Sequence, residues 1–419
     1  MKKSPNTIAV DLTPILPGGE NGGAKIFVIE LLIRLAEIAP QTQFVLLTQA
    51  ISHDELSVMD RPNMRRMLAV PGEDQGRIQS HLMVYISRIL AYLPGKLNKI
   101  LNHLIDRLLY VAKCIRAQSK SILREIGADL LFCPFTAPFY YEPGVPTVCI
   151  IYDLQYKTYP EFFHKIDAMQ RKQTFVDACN KSTFLAAISD YTREAAIMHG
   201  NLEKNRIRTI YLRMANRLTA ADESDNGLLC RLGLTHQRYF LYPANFWKHK
   251  NHEMLITAFS CACHNKLEPD IRLVCTGAPG ARRDWLKHAC NMMNLDDRII
   301  FPGYLPEKDL SILLTNSLGI IFPSLYEGFG LPIIEAMAAG VPVACSNSTS
   351  LPEVSGDAAI LFDPRIPEQI ANAIITLAND KRLRSQLIDS GKQRAKEFSN
   401  VHRMATEYWE LFQVALKIT

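Results

Sequence analysis

The chain has 419 residues and a formal net charge of +5, with 48% hydrophobic and 21% charged residues. This length suits two domains, and the composition is that of an ordinary globular protein, which excludes a disordered chain. No apolar run reaches the roughly 18 residues of a membrane-spanning helix. The N-terminal sequence MKKSPNTIAVDLTPILPGG lacks a signal-peptide core, so a cytoplasmic protein is expected.

The N-terminal part alternates short apolar runs with helical patterns. Helical spacing of Ile26, Ile29, Leu32 and Ile33 predicts a helix over residues 24–38. Strands are predicted at residues 8–12, 43–48, 128–134, 145–153 and 184–189. Strands that alternate with helices predict a doubly wound α/β sheet, which binds its ligands at the carboxyl ends of the strands.

Residues 77–124 form a basic segment. They hold nine Lys or Arg and one acid, so they carry about +8 while the rest of the chain sums to about −3. Apolar residues from Leu97 to Ile115 follow helical spacing, and Lys96, Lys99 and Arg107 form a basic stripe beside them. Such an amphipathic helix either docks on anionic lipid headgroups or packs its apolar face on its own domain. The pattern alone does not choose between these two interpretations.

A second set of strands follows the polar stretch 219–227, which is the predicted linker. Its six strands are predicted at residues 239–244, 271–277, 298–303, 318–324, 341–346 and 358–363. The sequence therefore predicts one domain over residues 1–218, with the basic segment as an insertion, and a second over 237–399. A final helix is predicted over 400–419.

The stretch 322–343, FPSLYEGFGLPIIEAMAAGVPV, carries the clearest chemical pattern. Glu327 and Glu335 are separated by seven residues, with a glycine loop and a helix start at Pro332 between them. Free backbone N–H groups over 328–332 and the positive end of the helix dipole attract an anion. The two carboxylates can accept hydrogen bonds from sugar hydroxyls. The pattern suits a phosphorylated sugar better than two solvated acids.

This stretch closely resembles the donor-site signature of the retaining glycosyltransferases of family 4, which have the two-domain GT-B fold. The resemblance is strongest from Tyr239 to Pro364. It implies that Glu327 contacts the transferred sugar, that Glu335 holds the ribose of the nucleotide, and that the loop amides bind sugar or phosphate. Those amides belong to Gly328, Phe329, Gly330 and Leu331. It further implies that the last helix crosses back to the first domain and that the two Rossmann-like domains face a central cleft.

The segment 242–259 resembles the phosphate-binding loop of the family. Lys250, followed by Asn251, matches the lysine that contacts the diphosphate, where positive charge stabilises the departing group. Lys248 and His249 add basic character. Many relatives have an arginine where this chain has Ala244. Three cations are candidates to replace it, namely Lys248, Arg282 and Arg283.

Three further segments resemble family elements around the cleft. Gly22 and Gly23 match the glycine loop that faces the donor phosphate, although a tight turn would also explain glycine there. The backbone of Tyr304 and Leu305 matches the loop that holds the nucleobase. Asp153 matches the segment that often reads His-Asp in relatives.

The acceptor side departs from the family at that segment, because Tyr152 replaces the histidine. Asp153 is therefore interpreted either as a group that orients or deprotonates the acceptor, or as a cap of a turn. Ser189 matches a family element near the cleft, and its simpler role is to cap a helix.

The ten cysteines are scattered, and several lie in apolar strands, which favours free thiols over disulfides. Cys261, Cys263 and His264 lack a second ligand pair at zinc spacing, so no metal site is predicted. The resemblance implies metal-independent transfer without a cofactor. The expected partners are a nucleotide sugar and a saccharide or lipid-linked acceptor, with no nucleic acid.

The resulting hypothesis is a retaining hexosyltransferase of surface-polysaccharide synthesis, with mannose from GDP-mannose as the favoured donor. Ala244 and Tyr152 motivate an alternative, a GT-B protein that binds nucleotide sugars within a glycan assembly complex but catalyses little. Another enzyme on this fold, such as a sugar-nucleotide epimerase or a phosphorylase, is a third hypothesis.

Overall fold

The first domain is built on a seven-stranded parallel sheet. The computed structural model describes residues 5–18, 21–71, 122–218, 227–265 and 267–418. The strands are β1 (Thr7–Asp11), β2 (Gln43–Gln49), β3 (Met64–Val70), β4 (Leu130–Cys133), β5 (Thr147–Ile151), β6 (Phe184–Ala187) and β7 (Ile207–Thr209). They lie in the order β3-β2-β1-β4-β5-β6-β7, so the strand order reverses between β1 and β4.

The second domain is built on a six-stranded parallel sheet. Its strands are β8 (Tyr239–Pro243), β9 (Arg272–Thr276), β10 (Ile299–Gly303), β11 (Gly319–Phe322), β12 (Val343–Ser346) and β13 (Ala359–Phe362). Their order is β10-β9-β8-β11-β12-β13, which reverses between β8 and β11. In doubly wound sheets the crevice at this reversal is where ligands bind. The six predicted strands of this domain are confirmed.

Helices cover both sheets. In the first domain they are α1 (Gly22–Ile38), α2 (Ala50–His53), α3 (Ile122–Glu125), α4 (Gln155–Thr158), α5 (Lys165–Lys181) and α6 (Asp190–Gly200). In the second they are α7 (Gly227–Arg231), α8 (His252–His264), α9 (Ala281–Met292), α10 (Glu307–Thr315), α11 (Leu331–Ala338), α12 (Leu351–Ser355), α13 (Pro367–Asn379) and α14 (Lys381–Lys396). The final helix is α15 (Val401–Ile418).

Helix α15 packs on the first domain, although it follows the second in sequence. Its Tyr408 ring lies 6.3 Å from the Phe27 ring of α1, and its Phe412 ring lies 5.0 Å from the Phe132 ring of β4. Tyr408 and Phe412 are both fully buried. Burial of such rings contributes a large share of the packing free energy. The helix is therefore part of the hydrophobic core of the first domain.

Two strands of the first sheet were not predicted from the sequence. Strand β3 reads MRRMLAV and strand β7 reads only IRT, and each lies at an edge of the sheet. Edge strands are partly exposed, so they lack the continuous apolar run of a central parallel strand. The basic segment 77–124 lies outside the described residues except for its last three. Among the residues that are described, no helix has both the length and the apolarity to cross a bilayer.

A buried acid lies at the carboxyl end of β1. Asp11 is 1% exposed, and its Oδ1 accepts hydrogen bonds from the Thr13 amide at 3.0 Å and the Thr13 hydroxyl at 2.6 Å. Its Oδ2 is buried and meets no hydrogen-bond partner among the described residues. Burial raises the pKa of this carboxyl to about 7, although the bonds from Thr13 oppose the shift.

The variant Asp11→Asn should be more stable than the wild type at pH 8 but not at pH 5. The folded state binds a proton at Asp11 that the unfolded state releases above its lower pKa, so stability falls as pH rises from about 4 to 7. The loss is on the order of 4 kcal/mol at pH 8, since one pKa unit corresponds to about 1.4 kcal/mol. Asparagine carries no charge, so the variant does not lose this stability at pH 8. Melting temperatures at the two pH values measure the effect.

The exposed residue Asp389 provides the control, because Asp389→Asn should change the melting temperature equally at both pH values. An Asp11→Asn variant whose shift did not depend on pH would contradict the raised pKa.

Candidate active site

An ion pair lies where the order of the second sheet reverses. Lys250 follows β8 in the turn Lys248–Lys250, and Glu327 follows the neighbouring strand β11. The Lys250 Nζ lies 2.6 Å from Glu327 Oε1, and each side chain is 13% exposed. The two residues predicted to act on the sugar and on the diphosphate are therefore brought together. The pair supplies one cation and one carboxylate at the place where such sheets bind ligands.

Helix α11 begins directly beside this pair. Gly330 precedes it with φ +108°, a conformation that strongly favours glycine, and Pro332 occupies its first turn. Gly340, with φ +70°, follows its end. The predicted helix start and stop are confirmed. The helix dipole gives this end of α11 a positive potential that suits a phosphate.

Hydroxyl groups after β12 hold the loop that carries Glu327. The buried Ser350 donates to the carbonyls of Glu327 at 3.0 Å and Phe329 at 3.1 Å. Thr349 Oγ1 accepts from the Glu327 amide at 3.1 Å. The sequence analysis did not identify these residues. Their signal is the polar run SNSTS, residues 346–350, which begins at the carboxyl end of a buried strand.

The same loop contacts the first domain at Gly328. A Cβ atom at this position would lie 2.0 Å from the Tyr152 carbonyl oxygen, which is far inside van der Waals contact. The Gly328 carbonyl accepts hydrogen bonds from the hydroxyls of Ser189 at 2.7 Å and Thr192 at 3.2 Å. Ser189 also caps α6 by accepting from the Thr192 amide, as predicted. Glycine is therefore required for this approach of the two domains.

A second contact joins the domains at the start of α6. The Glu353 carboxylate of α12 accepts from the amides of Asp190 at 2.6 Å and Tyr191 at 2.9 Å. An acid from the second domain thus binds the positive end of a helix of the first. Arg394 donates to the Glu353 carbonyl and fixes α12 in place. The sequence offered no signal for this contact, because its partners are 163 positions apart.

Asp153 faces the ion pair from the first domain. Its Oδ1 accepts from the Gln155 amide at 3.0 Å. Burial raises the pKa of its carboxyl, and the charge of Glu327 adds to the shift, while Lys250 opposes it. The carboxyl therefore lies within electrostatic range of both members of the pair. The turn cap is observed, and a role of Asp153 toward the acceptor stays a prediction.

The Tyr152 hydroxyl, at the position where relatives often have a histidine, is buried. It has no hydrogen-bond partner among the described residues, and the Tyr152 ring meets Phe27 edge-on at 6.2 Å. Burial raises the pKa of this hydroxyl well above its usual value. The side chain therefore packs between α1 and α15.

Comparison with known proteins places these residues in a family. The model of the family described as Glycosyl transferases group 1 matches residues 232–394, which include Lys250, Glu327 and Glu335. O-antigen chain mannosyltransferase B of Escherichia coli is 31% identical over 268 residues, which span 63% of this chain and 69% of that protein. The chain belongs to the group 1 glycosyltransferases. A mannosyltransferase of Mycolicibacterium hassiacum, MMP alpha-(1->4)-mannosyltransferase, is 31% identical over 127 residues, 30% of this chain and 31% of that one.

Solved structures share the fold across nearly the whole chain. HepE from Anabaena, solved with UDP and glucose, has a TM-score of 0.67 at 17% identity and covers 97% of this chain and 99% of its own. WaaG, a glycosyltransferase involved in lipopolysaccharide biosynthesis, has a TM-score of 0.65 at 14% identity and covers 96% and 99%. The predicted GT-B fold, two Rossmann-like domains, is confirmed.

The glycine loop of this group 1 glycosyltransferase lies against the second domain. Gly22 begins α1 with φ +54°, and a Cβ atom on Gly23 would lie 3.2 Å from the Leu331 side chain of α11. The Lys25 ammonium group donates to the Gly18 carbonyl at 3.0 Å and braces the loop. The predicted glycine contacts therefore lie beside the predicted phosphate end of α11.

The remaining predicted donor residues divide into two groups. Tyr304, which is 65% exposed, and Leu305 follow β10 at the carboxyl edge of the sheet. In contrast, the side-chain NH₂ group of Asn251 donates to the backbone carbonyls of Pro323 and Pro364 and so links the two loops that contain them. The Phe329 ring, 2% exposed, packs on Phe398 at 5.5 Å, so only its backbone faces the loop. Glu335 is also buried.

Positive charge near the donor loop comes from fewer residues than the sequence suggests. Arg282 pairs with Glu253, and Arg283 pairs with Asp284. Burial lowers the pKa of His249 to about 4, so the basic character expected of this residue is absent at neutral pH. Burial also lowers the pKa of His252 to about 3. Lys250 lies at the switch point in its pair with Glu327, Lys248 is exposed in the same turn, and which cation stands in for the family arginine stays a prediction.

The variant Gly328→Ala should separate the two domains. Its Cβ would collide with a backbone atom, the Tyr152 carbonyl oxygen, which no rotamer change relieves. The radius of gyration measured by small-angle X-ray scattering should increase, while each domain keeps its fold by circular dichroism.

The matched control is Gly280→Ala, because a Cβ at Gly280 meets nothing within 4 Å. Unchanged scattering from Gly328→Ala would contradict the role of this glycine in domain contact.

Proposed function

We propose that this protein transfers a hexose from a nucleotide sugar to a glycan or lipid-linked saccharide during surface-polysaccharide assembly. The observation that carries the proposal is the Lys250–Glu327 pair, 2.6 Å apart beside the start of α11. GDP-mannose is the first candidate donor, since O-antigen chain mannosyltransferase B is among the relatives. The protein would act in the cytoplasm with its donor and acceptor as partners.

The proposed step retains the anomeric configuration. The bond from the sugar C1 to the β-phosphate oxygen breaks, and its electron pair stays on the phosphate. The acceptor hydroxyl forms the new bond to C1 on the same face and gives its proton to the departing phosphate oxygen. Lys250 stabilises the negative charge on the diphosphate, and Glu327 binds hydroxyls of the sugar. Asp153 orients the acceptor, and the step requires no metal or cofactor.

A nucleotide-sugar-binding protein with little activity is the second candidate. Two observations favour it: Arg282 and Arg283 are paired with acids, and the Tyr152 hydroxyl is buried. Both functions predict nucleotide binding, so turnover distinguishes them.

Transfer assays with GDP-mannose, UDP-glucose, UDP-N-acetylglucosamine and dTDP-rhamnose test the main proposal. The wild type should turn over one of these donors with retention at C1. Glu327→Gln and Lys250→Ala should each lower kcat/KM about 100-fold or more, because each removes a charge that acts on the sugar or the leaving group.

The control variants are Glu368→Gln and Lys287→Ala, which change exposed residues of the same domain. Wild-type turnover by both active-site variants would refute the site. Nucleotide binding without turnover of any donor would favour the second candidate.

We also propose that the basic segment 77–124 holds the protein at an anionic membrane surface near a lipid-linked acceptor. Its net charge of about +8 and its amphipathic pattern support this. Replacing Lys96, Lys99 and Arg107 by Gln should weaken binding to vesicles that contain anionic lipid. Transfer to a short synthetic acceptor should not change. Sedimentation with vesicles measures the binding.

The matched control replaces three exposed cations of the second domain, Lys287, Lys381 and Arg382, by Gln. Equal vesicle binding by the wild type and the 96/99/107 variant would favour the packed helix instead.

A further inference from the structure

An arginine from the segment before the linker is held against the second domain. Arg217 lies in the turn Ala215–Leu218. The Ala215 amide donates to the Phe398 carbonyl at 3.0 Å, and the Leu218 carbonyl accepts from the buried Ser311 hydroxyl of α10. The turn is thus attached at both ends to elements that follow the linker in sequence. The position of Arg217 is therefore fixed relative to α11.

Arg217 bridges two acids of different exposure. Its Nε donates to Glu335 Oε1 at 2.7 Å, and its Nη1 donates to Glu307 Oε1 at 2.6 Å. The Glu335 side chain is 3% exposed, whereas the Glu307 side chain is 56% exposed. The guanidinium group is planar with donors in a fixed geometry, so it sets the orientation of the buried carboxylate. No hydrogen bond from the described residues reaches Glu335 Oε2.

The charge of Glu335 depends on this arginine. Burial raises the pKa of the Glu335 carboxyl, and Arg217 counteracts the shift through its charge and its hydrogen bond. The charged groups that act on Glu335 are Arg217 and Glu307, and Glu307 raises the pKa. A charged carboxylate accepts stronger hydrogen bonds than a neutral carboxylic acid. Without Arg217, the buried carboxyl would be protonated more readily and accept more weakly.

We propose that Arg217 is a positioning residue for the nucleotide: its guanidinium group orients the Glu335 carboxyl so that Oε2 accepts hydrogen bonds from the ribose hydroxyls. The inference rests on the proposed function, which supplies a nucleotide sugar as ligand. It assigns to Arg217 a role in distinguishing ribonucleotides from 2′-deoxyribonucleotides. Arg217 contacts Glu335, and Glu335 contacts the ribose.

Binding of nucleoside diphosphates tests the proposal without an activity assay. GDP, UDP and ADP are titrated into the full chain by calorimetry, and the tightest binder is compared with its 2′-deoxy form. The wild type should prefer the ribonucleotide about tenfold, the size expected for one charge-assisted hydrogen bond. Arg217→Gln should weaken ribonucleotide binding about tenfold and bring the ribose preference below about twofold.

The pH dependence gives a signature that a purely structural role would not produce. The loss in Arg217→Gln should be larger at pH 6 than at pH 8, because Glu335 binds a proton more readily at lower pH once the arginine is gone. Arg217→Lys should be intermediate, since lysine restores a charge but not the planar group. Glu307→Gln is the matched control: it removes the exposed partner and should keep the ribose preference.

The outcomes separate the inference from the proposed function. A ribose preference that is unchanged in a folded Arg217→Gln variant, or absent in the wild type, overturns the role of Arg217 and leaves the transferase proposal standing. If none of the three nucleotides binds the wild type, the role of Arg217 is refuted, and the transferase proposal is refuted as well unless dTDP-rhamnose is turned over. Thermal melts of each variant show whether it is folded, and Arg217→Lys provides the test if Arg217→Gln is not.

Discussion

The candidate site depends on one steric constraint, the contact of Gly328 with the Tyr152 carbonyl. The Gly328 carbonyl accepts hydrogen bonds from the hydroxyls of Ser189 and Thr192 in the first domain. The preceding residue, Glu327, pairs with Lys250. A side chain at Gly328 would move the loop and with it the carboxylate. The same stretch of backbone therefore determines both the contact between the domains and the geometry of the site.

Electrostatic balance explains why so few charges occur at the cleft. Each acid of the signature has a basic partner, Lys250 for Glu327 and Arg217 for Glu335. Burial keeps His249 and His252 neutral. A buried charge without a partner is unfavourable by several kcal/mol, so an uncompensated acid would be protonated instead. A diphosphate that entered this cleft would therefore find basic residues that are already paired, and it would compete with their acidic partners.

The sequence predicted what local patterns determine. Buried strands and the start of α11 follow from apolar runs and glycines close in the chain, and the resemblance to the family directed attention to Lys250 and Glu327. The contacts of Ser189 with Gly328, Glu353 with α6 and Arg217 with Glu335 join residues more than 100 positions apart, and only the packed fold brings them together. The burial of the Tyr152 hydroxyl depends on packing near Phe27 of α1 and Tyr408 of α15, so the neighbouring sequence could not predict it.

The packing of α15 on the first domain reverses the expected order of folding. The second domain contains all six of its strands in one continuous stretch, so it can complete its sheet as it leaves the ribosome. The first domain is made earlier, yet its rings at Phe27 and Phe132 pack on Tyr408 and Phe412, which are made after the second domain. Domains usually fold in the order of synthesis. Until α15 is made, Phe27 and Phe132 lack these partners, and a chaperone that binds apolar segments would find a site there.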